Sequence, residues 1–175
     1  MIDTRSGPIE YAENGKGPVI LAVHGAGGGF DQGLEILEPL AGRGFRIVAM
    51  SRFGYLRTPM PENFSVAAQD DAHADLMDAL RIQRAAIFGV SAGGPSAMQF
   101  AIRHPERCGA LVLMVPIAYK PPDSSAQATK LPPLVEKTLT TIVGSDFAFW
   151  LIAKLSPDTI IKIVMATPPV TVANA

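Results

Sequence analysis

The residues best equipped for chemistry are Gly89-Val90-Ser91-Ala92-Gly93. They follow an apolar stretch, Ala85-Ala86-Ile87-Phe88, and precede a helical stretch running to about Arg103. A serine at such a strand-to-helix turn takes a strained backbone, and its hydroxyl projects from the C-terminal edge of a sheet. Glycine at 89 and 93 lets the incoming strand and outgoing helix cross closely. The helix behind Ser91 aims free N–H groups at any negative charge that forms nearby. A structural tight turn is the bland alternative, and the strand–turn–helix context argues against it.

A second glycine-rich stretch, His24-Gly25-Ala26-Gly27-Gly28-Gly29, follows the apolar run Val19–Val23. A phosphate cradle is the competing reading. It lacks Gly-Lys-Ser/Thr and does not match dinucleotide-binding spacing. Together with the 89–93 turn, this stretch resembles the α/β-hydrolase family over residues 9–116. The resemblance implies that Ser91 is a catalytic nucleophile and that the backbone N–H groups of Ala26 and Ala92 form an oxyanion hole. Gly27 replaces Ala26 if the loop is set one residue over. The family's Asp-x-x-Gly-x-Gly-x-Ser loop reads here Ser51-Arg52-Phe53-Gly54-Tyr55-Leu56-Arg57-Thr58 and retains one of its glycines. Its expected role is to buttress the oxyanion loop, with Arg52 or Arg57 a solvated or structural charge. Family members that dehalogenate or open epoxides carry Asp at the elbow. Serine there implies acyl transfer through an acyl-enzyme on an ester, thioester, amide or lactone, or less commonly cleavage of a C–C bond beside a ketone.

Serine needs a general base, and the family's chain order is Ser, acid, His. After Ser91 the one histidine is His104, separated from it by roughly 18 Å of helix at about 1.5 Å per residue. His24 lies in the oxyanion motif, where the family uses it structurally. His73 sits on the acidic helix 66–80 and is expected to be solvated. Asp123 is a poor candidate acid, because Pro116-Ile117-Ala118 occupies the place after the strand ending at Val115. The acid and the histidine are therefore expected on polypeptide beyond residue 175. The partners implied are a small-molecule acyl substrate and a C-terminal segment or second chain that completes sheet and triad. A non-catalytic binding protein of this fold and a cofactor-free haloperoxidase are the rival functions.

The elements that must position these residues alternate along the chain. Strands are expected at Ile9–Glu13, Val19–Val23, Phe45–Met50, Ala85–Phe88 and Gly109–Val115, the last four buried on both faces. Helices are expected near 33–41, after an N-cap at Ser65, and after Ser91, where Pro95 suits the first turn. On the second helix Ala68, Ala72, Leu76 and Leu80 recur every four residues, with Asp70, Asp71, Asp75 and Asp78 mostly facing water. This is α/β alternation: a mostly parallel, doubly wound sheet of the α/β-hydrolase type, incomplete in this chain, with a helical cap segment. Residues 1–118 read as the N-terminal part of the core, and 119–175 as a linker and partial cap. In the cap, Phe147, Trp150 and Met165 are candidate substrate-pocket residues, against the simpler reading that they pack the cap onto the core.

Composition narrows the rest. Fifteen basic residues against sixteen acidic give a net charge of −1, with no electrostatic footprint for nucleic acid. The single cysteine, Cys108, excludes an intrachain disulfide and a thiolate metal cluster. Neither a cofactor nor a metal is expected. The apolar run 147–153 falls short of the ~20 residues of a membrane span. With no leader-like stretch at the start, a cytoplasmic protein is the expectation.

Overall fold

The computed structural model describes residues 1–117, 150–151 and 154–156. Chain contacts divide it into two compact units, Met1–Lys120 and Pro121–Ala175. The first unit opens with a hairpin of β1 (Ile2–Thr4) and β2 (Gly7–Ile9). Its five-stranded sheet runs in the order β3 (Tyr11–Asn14), β5 (Arg46–Met50), β4 (Val19–Val23), β6 (Ala85–Val90), β7 (Cys108–Met114). Only β3 is antiparallel to its neighbour; β5, β4, β6 and β7 are parallel. The helices are α1 (Phe30–Ala41), α2 (Val66–Ala79) and α3 (Gly94–Arg103), the last entered through a short 3-10 turn at Ser91–Gly93. The fold is that of an α/β-hydrolase core. No helix among the described residues is long and apolar enough to cross a membrane.

Strand periodicity explains why helices cover both faces. Alternate residues of a strand point to opposite sides, so an all-apolar strand buries two faces. Leu21, Val23, Val48, Met50 and Ile87 join Leu76 and Met77 of α2 and Ala97 and Phe100 of α3. Ile20, Ala22, Ile47, Ala49, Phe88 and Val90 pack with Leu37, Leu34 and Leu40 of α1. The central strands β4 and β6 lie against both layers, and Ser91 stands at the C-terminal end of β6.

Three expectations need correction. The stretch 9–13 is split, because Glu10 leaves the hairpin and buries its carboxylate before β3 starts. Strand β7 is not buried on both faces: Leu111, Val112 and Met114 are exposed. Among the described residues it pairs with β6 alone, at the edge of the sheet. On α2, Asp70 is fully buried and Asp75 nearly so. Each carboxylate takes a distant partner, Arg103 for Asp70 and Arg5 with Ser6 for Asp75, which replaces water.

Candidate active site

Ser91 has φ = 48°, a backbone conformation that costs a side-chain-bearing residue about 1–2 kcal/mol. The surroundings impose it. Strand β6 ends at Val90, and the next residues must turn at once into the helical segment that packs back on the sheet. A Cβ on Gly89 would stand 2.7 Å from the Ala97 Cβ, and one on Gly93 would stand 2.6 Å from the His24 carbonyl oxygen. Both glycines therefore mark close approaches. Pro95 lies in the first turn of α3, where its missing N–H costs nothing. Ala92 is in the first turn of the helical segment, where backbone N–H groups have no partner within a helix. The Ser91 carbonyl accepts a 3.0 Å bond from the Ile117 N–H, which fixes the peptide that carries the Ala92 N–H.

The glycine-rich loop reaches this turn from β4. A Cβ on Gly25 would lie 3.2 Å from the Ser91 Cβ, so the loop touches Ser91 at that residue. The Gly25 N–H is tied back to the Gln32 side-chain oxygen at 2.7 Å, leaving Ala26 and Gly27 exposed beside the turn. The loop after β5 supports it from below. Ser51 Oγ accepts from the Phe30 N–H at 3.2 Å, and His24 Nε2 accepts from the Arg52 N–H at 2.8 Å. His24 Nδ1 then carries the proton and donates to the Gly25 carbonyl at 2.7 Å. Arg52 Nη1 and Nη2 donate to the Ala92 and Gly25 carbonyls, each at 3.2 Å.

The buttressing role of the 51–58 loop thus rests on named bonds. Arg57 is structural too: its exposed guanidinium bonds the buried Glu10 carboxylate at 2.6 Å. Burial pushes the Glu10 carboxyl up, but bonds from the Arg57 backbone and side chain and from Ser51 outweigh this and leave it below the usual range.

All three histidines of the chain are described, and none hydrogen-bonds Ser91. His24 is fully buried with both ring nitrogens engaged, and burial lowers its pKa to about 4. His73 is not solvated as the helix pattern implied; it is fully buried under the turn. Its Nε2 lies 3.0 Å from Ser96 Oγ, which bonds the Gly93 carbonyl at 3.3 Å, and its Nδ1 is 3.0 Å from Met50 Sδ. Serine has one proton to give. With that proton on the Gly93 carbonyl, Nε2–H is the donor to Ser96. Burial, helped by the charge of Arg52, lowers the His73 pKa to about 3. His104 caps α3 at its far end, 3.4 Å from the Asp70 carboxylate. Asp70, Asp71 and His104 bring possible metal ligands together, but Arg103 already bonds both carboxylates.

Gln32, Ile117 and the His73–Ser96 pair were not foreseen. Ile117 and the His73–Ser96 pair join residues more than twenty apart, and Gln32 reaches back seven residues to Gly25, where no local pattern marks it. Of the pocket candidates, Phe147 and Met165 lie outside the described residues, as does Asp123. Trp150 is half exposed, with the Lys154 ammonium 5.5 Å over its ring. Beside the turn a cavity of about 260 Å³ is lined by Arg52, Phe53, Tyr55, Met60, Phe64 and Ala92 among others.

The family model for the alpha/beta hydrolase fold matches residues 18–156. The chain is 34% identical over 113 residues to a 2-hydroxy-6-oxo-6-phenylhexa-2,4-dienoate hydrolase of Comamonas testosteroni, covering 62% of this chain and 40% of that protein. It is 34% identical over 106 residues to a 2-hydroxymuconate semialdehyde hydrolase of Pseudomonas sp. strain CF600, covering 58% and 38% respectively. Among solved structures, an alpha/beta hydrolase fold protein from Nakamurella multipartita superposes with a TM-score of 0.67 at 28% identity, covering 94% of this chain and 55% of that one. The chain therefore spans well under half the length of these two curated relatives.

Proposed function

The chain belongs to the alpha/beta hydrolase fold family, and from that premise we propose that it forms the nucleophile half of a serine hydrolase with Ser91 as nucleophile. The observation that carries this reading is the strained backbone of Ser91 at the end of a central parallel strand, in contact with Gly25 of the glycine-rich loop. Backbone strain at a side-chain-bearing residue persists where the surroundings over-determine it, and functional turns are where it concentrates.

The Ser91 hydroxyl adds to the substrate carbonyl as its proton passes to a base. The developing oxyanion takes hydrogen bonds from the N–H groups of Ala26, or Gly27, and Ala92. Collapse expels the leaving group, which takes the proton back, and water then releases the acyl group from Ser91. Donors of this kind act where charge develops, and removing one costs about 10²–10³ in turnover. Both ring nitrogens of His24 are engaged, His73 is fully buried with its Nε2 on Ser96, and His104 sits at the opposite end of α3. The base and its acid are accordingly assigned to polypeptide beyond residue 175. The aromatic and apolar walls of the neighbouring cavity support a small, rather apolar acyl group.

An ester-type substrate is the first reading. A second is favoured by the two curated relatives, whose named substrates contain no ester or amide, so that hydrolysis must break a C–C bond beside a carbonyl. Both begin at the same serine. The test is labelling of the protein, isolated from its source, with a fluorophosphonate, which requires an activated serine hydroxyl. Modification at Ser91, absent in Ser91→Ala, is expected. An intact, folded protein that the reagent leaves untouched would favour the non-catalytic reading.

A further inference from the structure

Arg52 is the charged side chain that joins the two halves of the proposed oxyanion hole. Its guanidinium reaches the Gly25 carbonyl with Nη2 and the Ala92 carbonyl with Nη1, both at 3.2 Å. Its own backbone N–H donates to His24 Nε2 at 2.8 Å. The guanidinium stacks 4.8 Å over the Tyr55 ring, which in turn meets the His24 ring edge-on at 4.7 Å. One residue therefore touches the glycine-rich loop, the turn after β6, and the histidine between them.

The carbonyl of Gly25 and the N–H of Ala26 belong to one peptide plane. That carbonyl accepts two bonds, from His24 Nδ1–H at 2.7 Å and from the Arg52 cation. Both fix the plane from behind, and both draw electron density toward the oxygen, which strengthens the N–H on the other side as a donor. A bond from a cation does this more than a neutral one. On the second half of the hole, the Ala92 carbonyl is held by Nη1 while the peptide ahead of it is held by the Ile117 N–H. A fork with two parallel donors suits this task. A lysine ammonium is a point charge on a flexible stem and reaches one carbonyl at a time.

We infer that Arg52 is a positioning residue of the reaction: it clamps the Gly25 and Ala92 carbonyls so that the Ala26 and Ala92 N–H groups converge on one oxyanion. The inference rests on the reading of Ser91 and the oxyanion hole given above. The bonds of the clamp end on the two carbonyls and act on the transition state through them, while the rest of the Arg52 side chain lines the neighbouring cavity.

The test compares Arg52→Ala, Arg52→Lys and Ser91→Ala with the parent, turnover of the Arg52 variants being counted per serine titrated by a fluorophosphonate and that of Ser91→Ala per mole of folded protein. Loss of the anchor should cost less than loss of a donor, so kcat of Arg52→Ala is expected to fall about 10–100-fold. A boronic acid that forms a tetrahedral adduct on serine should bind more weakly by the same factor. Added ethylguanidinium should restore part of the turnover in Arg52→Ala and none in the parent. Arg52→Lys keeps the charge and aliphatic stem, and it decides the matter if the alanine variant does not fold: about tenfold lower kcat at unchanged KM is expected. A residue that merely braces the fold would lower thermal stability and the titre of active sites, with kcat per titrated site, boronic acid affinity and guanidinium response unmoved. That result would overturn the clamp. If Ser91→Ala keeps its turnover, the underlying reading fails instead. If Ser91→Ala is inactive while both Arg52 variants turn over normally, only the clamp fails.

Discussion

His73 makes stability fall steeply with acid in a way that one substitution can isolate. Its ring is fully buried, and its folded pKa is about 3 against 6.5 for a free histidine. The unfolded chain therefore binds a proton as pH drops below 6.5, while the folded chain does not until about 3. Stability from this group is complete above pH 6.5 and is lost as pH falls, by about 1.4 kcal/mol per pH unit. Between pH 7.5 and 5.0 the loss integrates to about 2 kcal/mol. His24, buried with a pKa of about 4, follows the same sign and adds a similar amount, so the pair costs about 4 kcal/mol of a typical 5–15. Burial raises the Asp70 carboxyl, so its protonation in the folded state opposes this loss, and it does so equally in parent and variant. His73→Gln removes one titration while its amide still reaches Ser96. Urea unfolding of parent and variant at pH 7.5 and 5.0 should show the parent losing about 2 kcal/mol more than His73→Gln. Equal losses in both proteins would mean that His73 is not held neutral beneath the turn, and the buried network drawn from it would be wrong.

Two further outcomes follow from the same geometry. Gly93→Ala forces a methyl against the Val23 and His24 carbonyls, and it should destabilise by about 1–3 kcal/mol in urea unfolding; a change within ~0.5 kcal/mol would contradict the close crossing, since that is the range of neutral surface substitutions. Active material should contain polypeptide beyond these 175 residues that carries the acid and base. Intact mass checks this, and a single species with the mass of these residues, hydrolysing esters at normal enzymatic rates, would contradict it.

The parts of this molecule that were legible in its sequence are those encoded locally. The four strands read from apolar runs are strands, and the Gly89–Gly93 spacing sits on the turn it implied, because a turn this tight dictates its own residue types. The Ser65 N-cap is also local: its side chain accepts from the Ala68 N–H. What escaped was everything set by partners distant in the chain. Asp70 and His73 have the look of a solvated helix face, since periodicity records polarity but not the Arg103 or Ser96 that satisfies it. Strand β7 is as apolar as β4, yet burial depends on neighbours and not on its own residues. The Arg52 fork belongs to the same class: nothing at 51–58 announces that one arginine holds the carbonyls of residues 25 and 92.

On the proposed mechanism Ser91 carries the substrate's acyl group during turnover. Acid-quenching the enzyme during hydrolysis of an activated ester, followed by proteolysis and mass spectrometry, reads this directly. An acyl adduct is expected on the peptide containing Ser91, and in Ser91→Ala a folded protein with no adduct and turnover lower by about 10⁶. An adduct on any other residue, or a Ser91→Ala variant that hydrolyses the ester at the parent rate, would contradict it.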